Sequence, residues 1–136
     1  MFDQFDTNVI LENMHCLIEG MQLTLLLTIA AICGGLVLGT LLALARLSGF
    51  WILSLVSSTY VNFFRSMPLI LVIFWFYFLV PLILGQPVGG YYSVLIAFVL
   101  FEAAYYCEII RAGIQSVSKG QVYAGQAVGL NYFQNM

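Results

Sequence analysis

The chain has 136 residues, is 62% hydrophobic and only 7% charged, and sets four Lys/Arg against six Asp/Glu for a net charge of −2. A water-soluble domain draws roughly a quarter of its residues from the charged types, so so few charges cannot clothe a surface in water, and lipid must take that place. The scarcity of basic residues argues against nucleic acid as a partner, and three cysteines, an odd count, do not make a disulfide framework.

The N-terminal stretch MFDQFDTNVILENMHCLIEG is acidic, with Asp3, Asp6, Glu12 and Glu19, and lacks the positive region of a signal peptide. The single histidine, His15, has only Cys16 beside it and reads as a surface or structural residue. A first transmembrane helix is expected over 20–46. Its core, 21–45, has no charged residue, and as a helix it covers about 37 Å against a hydrocarbon thickness of about 30 Å. Within it, Gly35 and Gly39 stand four apart on one face, where the absent side chains suit a close helix–helix contact in lipid.

Residues 50–65, FWILSLVSSTYVNFFR, place Ser54, Ser57, Ser58, Asn62 and Arg65 on one arc of about 140° when wound at about 100° per residue. An amphipathic helix is expected there, either at the membrane interface or as the lower half of a long kinked helix. Arg65 either snorkels to that interface or sits inside a bundle. The second span is expected over 66–84, with Pro68 in its first turn and Pro81 near its end, followed by the turn GQPVGG at 85–90.

A third span is expected over 90–111. Glu102 lies deep within it and must face protein or water, because a carboxylate in lipid is costly. It either lines a polar path or pairs with Arg65, or it is held hydrogen-bonded or protonated among tyrosines. Glu108 and Arg111, three apart, can pair locally as a collar where the helix leaves the membrane. Three spans put Arg46, Arg111 and Lys119 on one side and the acidic N-terminus on the other, so the positive-inside rule expects the N-terminus outside and the C-terminus in the cytoplasm.

After Arg111 the composition shifts to AGIQSVSKGQVYAGQAVGLNYFQNM, a helix end rich in Gly and Ser and then a short helix with Gly129 as its stop. No nucleophile–base pair, metal cluster or phosphate-binding loop is visible, so neither a catalytic site nor a bound cofactor is expected.

The run AAYYCEIIRAGIQSVSKGQ followed by AGQAVGL resembles the permease subunits of polar amino acid ABC importers, and LTLLLTIAAICGGLVLGTLLALARLS and YVNFFRSMPLILVIFWFYFLVP are similar to the first two helices of that family. The likeness runs from Gly20 to Met136, and the wording VNFFRSMPL looks closest to the glutamate/aspartate subgroup. It implies an all-α integral membrane protein: a single permease-like helical bundle over 1–136, holding the first three transmembrane helices and the start of a cytoplasmic coupling loop over 112–136. It further implies residence in a bacterial inner membrane, a second permease subunit, an ATP-binding ABC subunit and a periplasmic substrate-binding protein.

By resemblance, Gly120, Gln121, Tyr123, Ala124, Gly125 and Gly129 form the loop that docks in the ATPase. Where the family carries Glu-Ala-Ala this chain has Tyr123-Ala124-Gly125, which removes the acidic contact. The family pattern also continues through further helices past Met136, so the resemblance implies a truncated product or helices supplied by another chain. A non-transporting membrane protein that only packs with other helices is the competing expectation.

Overall fold

The computed structural model describes residues 11–86, 89–131 and 134. Asp3, Asp6, the centre of the expected turn at 87–88 and positions 132, 133, 135 and 136 of the expected loop lie outside them. The described chain is helical throughout: α1 (Met14–Leu47), α2 (Trp51–Arg65), α3 (Leu69–Phe74), a π-helical turn (Trp75–Leu79), α4 (Val80–Leu84), α5 (Gly90–Ser116) and α6 (Lys119–Ala127).

Two of these helices, α1 and α5, are each long and apolar enough to cross a membrane. Both overrun the spans expected from charge. α1 begins at Met14 rather than near residue 20, and α5 continues to Ser116, five residues past Arg111 into the stretch assigned to the loop. A charged residue marks where hydrocarbon ends, but nothing in the backbone stops a helix there. α1 has 34 residues, about 51 Å of helix against about 30 Å of hydrocarbon, so its first turns stand outside the lipid core. His15 and Glu19 lie on those turns and pair at 3.4 Å.

Apolar side chains surround α1, so hydrophobicity does not say which face meets protein; size does. The buried positions are Ala31, Gly35, Gly39 and Ala43, one every four residues. This stripe lies on α5. A Cβ added to Gly39 would come within 2.9 Å of the Ala103 carbonyl oxygen and 3.1 Å of the Cys107 nitrogen, so the two backbones meet directly. Gly35 faces Glu102 and Tyr106, and Gly34 faces Val99. Partners therefore rise together along both helices, from Gly34 with Val99 to Arg46 with Glu108. α1 and α5 are parallel. Two parallel spans require the segment between them to recross the membrane, and the only helices available for that are α2 to α4.

The recrossing is not one straight rod. α2 and the Leu69–Leu84 rod are bent by 103° at the break between them. Pro68 is the cause: its ring disfavours helical backbone at Met67, and Pro68 itself is extended, at φ −71° and ψ 144°. The expected second span, 66–84, is thus shortened to a helical rod beginning at Leu69. Pro81 shapes the far half. It cannot donate to a preceding carbonyl and its ring crowds the residue four back, and the helix widens just before it, Val80 N–H reaching the carbonyl of Trp75 five residues earlier. Gly85, left-handed at φ 68°, ends the rod.

α2 turns its face the other way from a helix on water. Ser57 and Val61 are buried and Ser54 and Ser58 half-buried, whereas Trp51, Ile52, Leu55 and Val56 are exposed. Where the outer solvent is lipid, the serine edge belongs inside, while Asn62 and Arg65 at the end of the same arc stay exposed. Val61 joins Ala43, Ala104 and Cys107 in one buried cluster, and Val72, Ala97 and Phe101 make a second. Tyr60 donates its hydroxyl to the Leu100 carbonyl at 2.8 Å, fixing α2 across α5.

Gly39→Val is expected to destabilise the bundle by about 1–3 kcal/mol through overpacking against rigid backbone. Gly20→Val, where a new Cβ would meet nothing within 4 Å, serves as the comparison. Denaturant titration of the two variants in detergent micelles measures the difference.

Candidate functional site

Four of the chain's charged side chains gather at one place, where α1 ends, α2 ends and α5 nears its last turns. Glu108 stands at the centre. Its Oε2 accepts from Arg46 Nη1 and its Oε1 accepts from Arg111 Nη2, the latter at 2.5 Å. Arg65 Nη1 lies 4.0 Å from the same Oε2, too far for a hydrogen bond. Its guanidinium also sits over the Tyr105 ring, 5.5 Å from the centroid, within cation–π range. Arg111 further donates to Gln115 Oε1 at 2.6 Å. One carboxylate thus links α1, α2 and α5 about two turns before α5 ends at Ser116.

This network exceeds the local pair read from the sequence. The i,i+3 spacing pointed to Glu108 with Arg111, but Arg46 is 62 residues away in sequence. What could have exposed it is charge scarcity: Glu108 is the carboxylate expected where the third span leaves the membrane, on the side that also carries Arg46. Arg65 turns out to be half-exposed beside Glu108 and Tyr105.

The alternative pairing of Arg65 with Glu102 does not occur. Among the described residues Glu102 has no ion pair and no hydrogen bond, to Tyr106 or any other tyrosine. It packs against Gly35 and opens, with Tyr106, Phe98, Thr24 and Thr28, on a groove of about 350 Å³ between α1 and α5. The geometric reason is the face: Glu102 is turned toward α1 by the close approach at Gly35, while α2, which carries Arg65, crosses α5 at Leu100 and Ala104.

Beyond the charged cluster the chain turns sharply. Val117 and Ser118 are extended, and the Ser118 hydroxyl accepts from the Gln121 backbone N–H at 3.4 Å, capping α6. At the far end Leu130 N–H reaches the Gly125 carbonyl and Gly129 N–H the Gln126 carbonyl, both at 3.1 Å. With Gly129 left-handed at φ 81°, this is the paired 6→1 and 5→2 closure that glycine permits at a helix end. α6 therefore carries its own start and stop signals. It has no buried residue, and Tyr123 and Val128 are broadly exposed. Gly120, Gln121, Tyr123, Ala124, Gly125 and Gly129 all lie on it or at its closing turn. No group of three or more His, Cys, Asp or Glu able to hold a metal occurs among the described residues.

Comparison with known proteins places the chain in a family. The family model described as "Binding-protein-dependent transport system inner membrane component" matches residues 35–136. The chain belongs to that family. It is 43% identical to the glutamate/aspartate import permease protein GltK of Escherichia coli O157:H7, covering 98% of this chain and 62% of the relative. It is 34% identical to the arginine transport system permease protein ArtQ of Bacillus subtilis strain 168, over 96% of this chain and 60% of the relative. A crystal structure of an amino acid ABC transporter with histidines superposes with a TM-score of 0.87 at 29% identity, over 98% of this chain and 62% of that one. The chain thus spans about three-fifths of the length of these relatives, and within that length it is a multi-pass, all-helical inner-membrane component.

The geometry of the cluster sets an order of coupling energies. A double-mutant cycle of Arg46→Gln with Glu108→Gln, read by unfolding in micelles, is expected to give a coupling of about 0.5–3 kcal/mol. The cycle of Arg65→Gln with Glu108→Gln should fall below that, because its charges lie 4.0 Å apart without a hydrogen bond.

Proposed function

We propose that the chain is a membrane-spanning subunit of an ATP-driven importer of amino acids, glutamate and aspartate being the favoured substrates. In this reading a periplasmic binding protein delivers the amino acid, a second permease subunit completes the path, and a separate ATP-binding subunit supplies the energy. The N-terminus lies in the periplasm and α6 in the cytoplasm, which agrees with Arg46, Arg111 and Lys119 standing on one side of the parallel α1–α5 pair.

The observation that carries this reading is α6. A nine-residue helix is too short to persist in water on its own strength, yet this one is capped at both ends and buries none of its residues. Such a helix is suited to a cleft in another protein. It follows the end of α5, so a push on α6 passes along about two turns of α5 to the Glu108 cluster, where α1 and α2 meet it. The similarity to GltK supports the substrate class, and the similarity to ArtQ supports amino acid import more broadly.

Tyr123 and Gly125 modify the contact. With no carboxylate on α6 to meet a basic residue, docking rests on shape and on the exposed Tyr123 ring. Combining Ala124→Arg with Gly129→Val is expected to reduce co-purification of the ATP-binding subunit about tenfold or more, as loss of an interface anchor does. Undiminished co-purification would refute the docking role, and absence of labelled glutamate uptake by the reconstituted wild-type assembly would refute the transport reading itself.

A further inference from the structure

Glu102 stands in the middle of α5, roughly 20 Å from either end of Gly90–Ser116. A carboxyl group at that depth of a membrane is costly unless protein or water meets it. Yet Glu102, without an ion pair or hydrogen bond among the described residues, opens on the groove between α1 and α5. Its neighbours there are mostly acceptors. The hydroxyls of Thr24 and Thr28 already donate to the Gly20 and Thr24 carbonyls, each at 2.8 Å, so what they present to the groove is lone pairs. The Tyr106 hydroxyl shares the groove but makes no hydrogen bond to Glu102.

α5 also carries an uncovered seam at this level. Phe98, Glu102, Tyr105 and Ile109 follow one another at steps of four, three and four residues, the repeat that seats a neighbouring helix. Tyr105 and Ile109 are exposed. Lipid accepts such apolar side chains but not the carboxylate among them. The chain's own cations cannot serve it. Arg46, Arg65 and Arg111 are held at Glu108, about 9 Å further along α5, and Lys119 lies beyond them on α6. A second copy inserted in the same direction would carry its cations at the same ends, so it is not the occupant either.

We propose that the α1–α5 groove receives a transmembrane helix of a different chain, one carrying Lys or Arg near its midpoint, and that this cation pairs with Glu102. A side chain that only donates suits a wall that chiefly accepts. In the importer proposed above, the second permease subunit is that chain, an assignment that rests on that reading.

The test measures energy transfer between the donor-labelled full chain and acceptor-labelled peptides in phosphatidylcholine vesicles. The peptides are apolar helices of about 22 residues that differ only at the central position, Lys in one and Leu in the other. The Lys peptide should associate about tenfold more tightly, the size of a polar contact between helices in lipid. Glu102→Gln, which keeps the shape of the side chain, should cut that preference to about threefold or less. Unchanged association of the Leu peptide with the variant shows that its bundle is intact. Glu19→Gln, outside the lipid core, should leave the preference as it is. No ATP-binding subunit takes part, so a failure here leaves the transport reading standing. Equal association of the two peptides, or a Lys preference undiminished by Glu102→Gln, overturns the proposal. If millimolar methylammonium abolishes the preference, the groove is a site for free ammonium groups and the helix assignment fails.

Discussion

The contact on which the rest depends is the direct approach of α1 to α5 over Gly34, Gly35 and Gly39. In lipid no hydrophobic force drives helices together, because lipid tails are as apolar as leucine; what remains is dispersion between closely fitted surfaces. The small-residue stripe supplies that fit. Because the fit runs parallel rather than antiparallel, it also dictates connectivity: the intervening chain must recross, and within 20 residues of the end of α1 it must turn. Met67–Pro68 provides the turn. The glycine stripe and the Met67–Pro68 break thus account for the direction of the spans without recourse to a polar contact.

Polar contacts then work where packing cannot. At the end of the α1–α5 seam three backbones converge, and a single carboxylate crosses between them. A cluster of this kind is weak evidence for stability, since removing charge from water is costly. Its geometric effect is clearer: α1, α2 and α5 cannot separate at this level without leaving guanidinium groups unpaired.

Much of this was legible in the sequence, for reasons tied to particular residues. Membrane residence followed from the lack of charge, and the stop of α6 followed from Gly129, whose chemistry is local; its start at Ser118 was not read. The packing use of Gly35 and Gly39 was readable, but not their partner, because a stripe of missing side chains says only that something comes close. Charge marked the expected spans but not the helix ends, which lie beyond them at Met14 and Ser116. The facing of α2 was open because a polar arc is outward in water and inward in lipid. Arg46 escaped notice because its partner lies across the fold, while i,i+3 spacing offered Glu108 a nearer one.

The π-helical turn at Trp75–Leu79 changes the phase of the recrossing rod. A turn closed by a bond from residue five back holds one residue more than its α-helical counterpart, so everything after it is rotated by roughly one residue's angle, about 100°, relative to an unbroken helix. Side chains on either side of Trp75–Leu79 therefore do not follow a single helical wheel. Val72, upstream, is buried, whereas Leu82, Ile83 and Leu84, downstream, are all turned outward. The rod is two half-screws of different register joined under Pro81, and an insertion or deletion of one residue there would rotate one half while leaving the other in place.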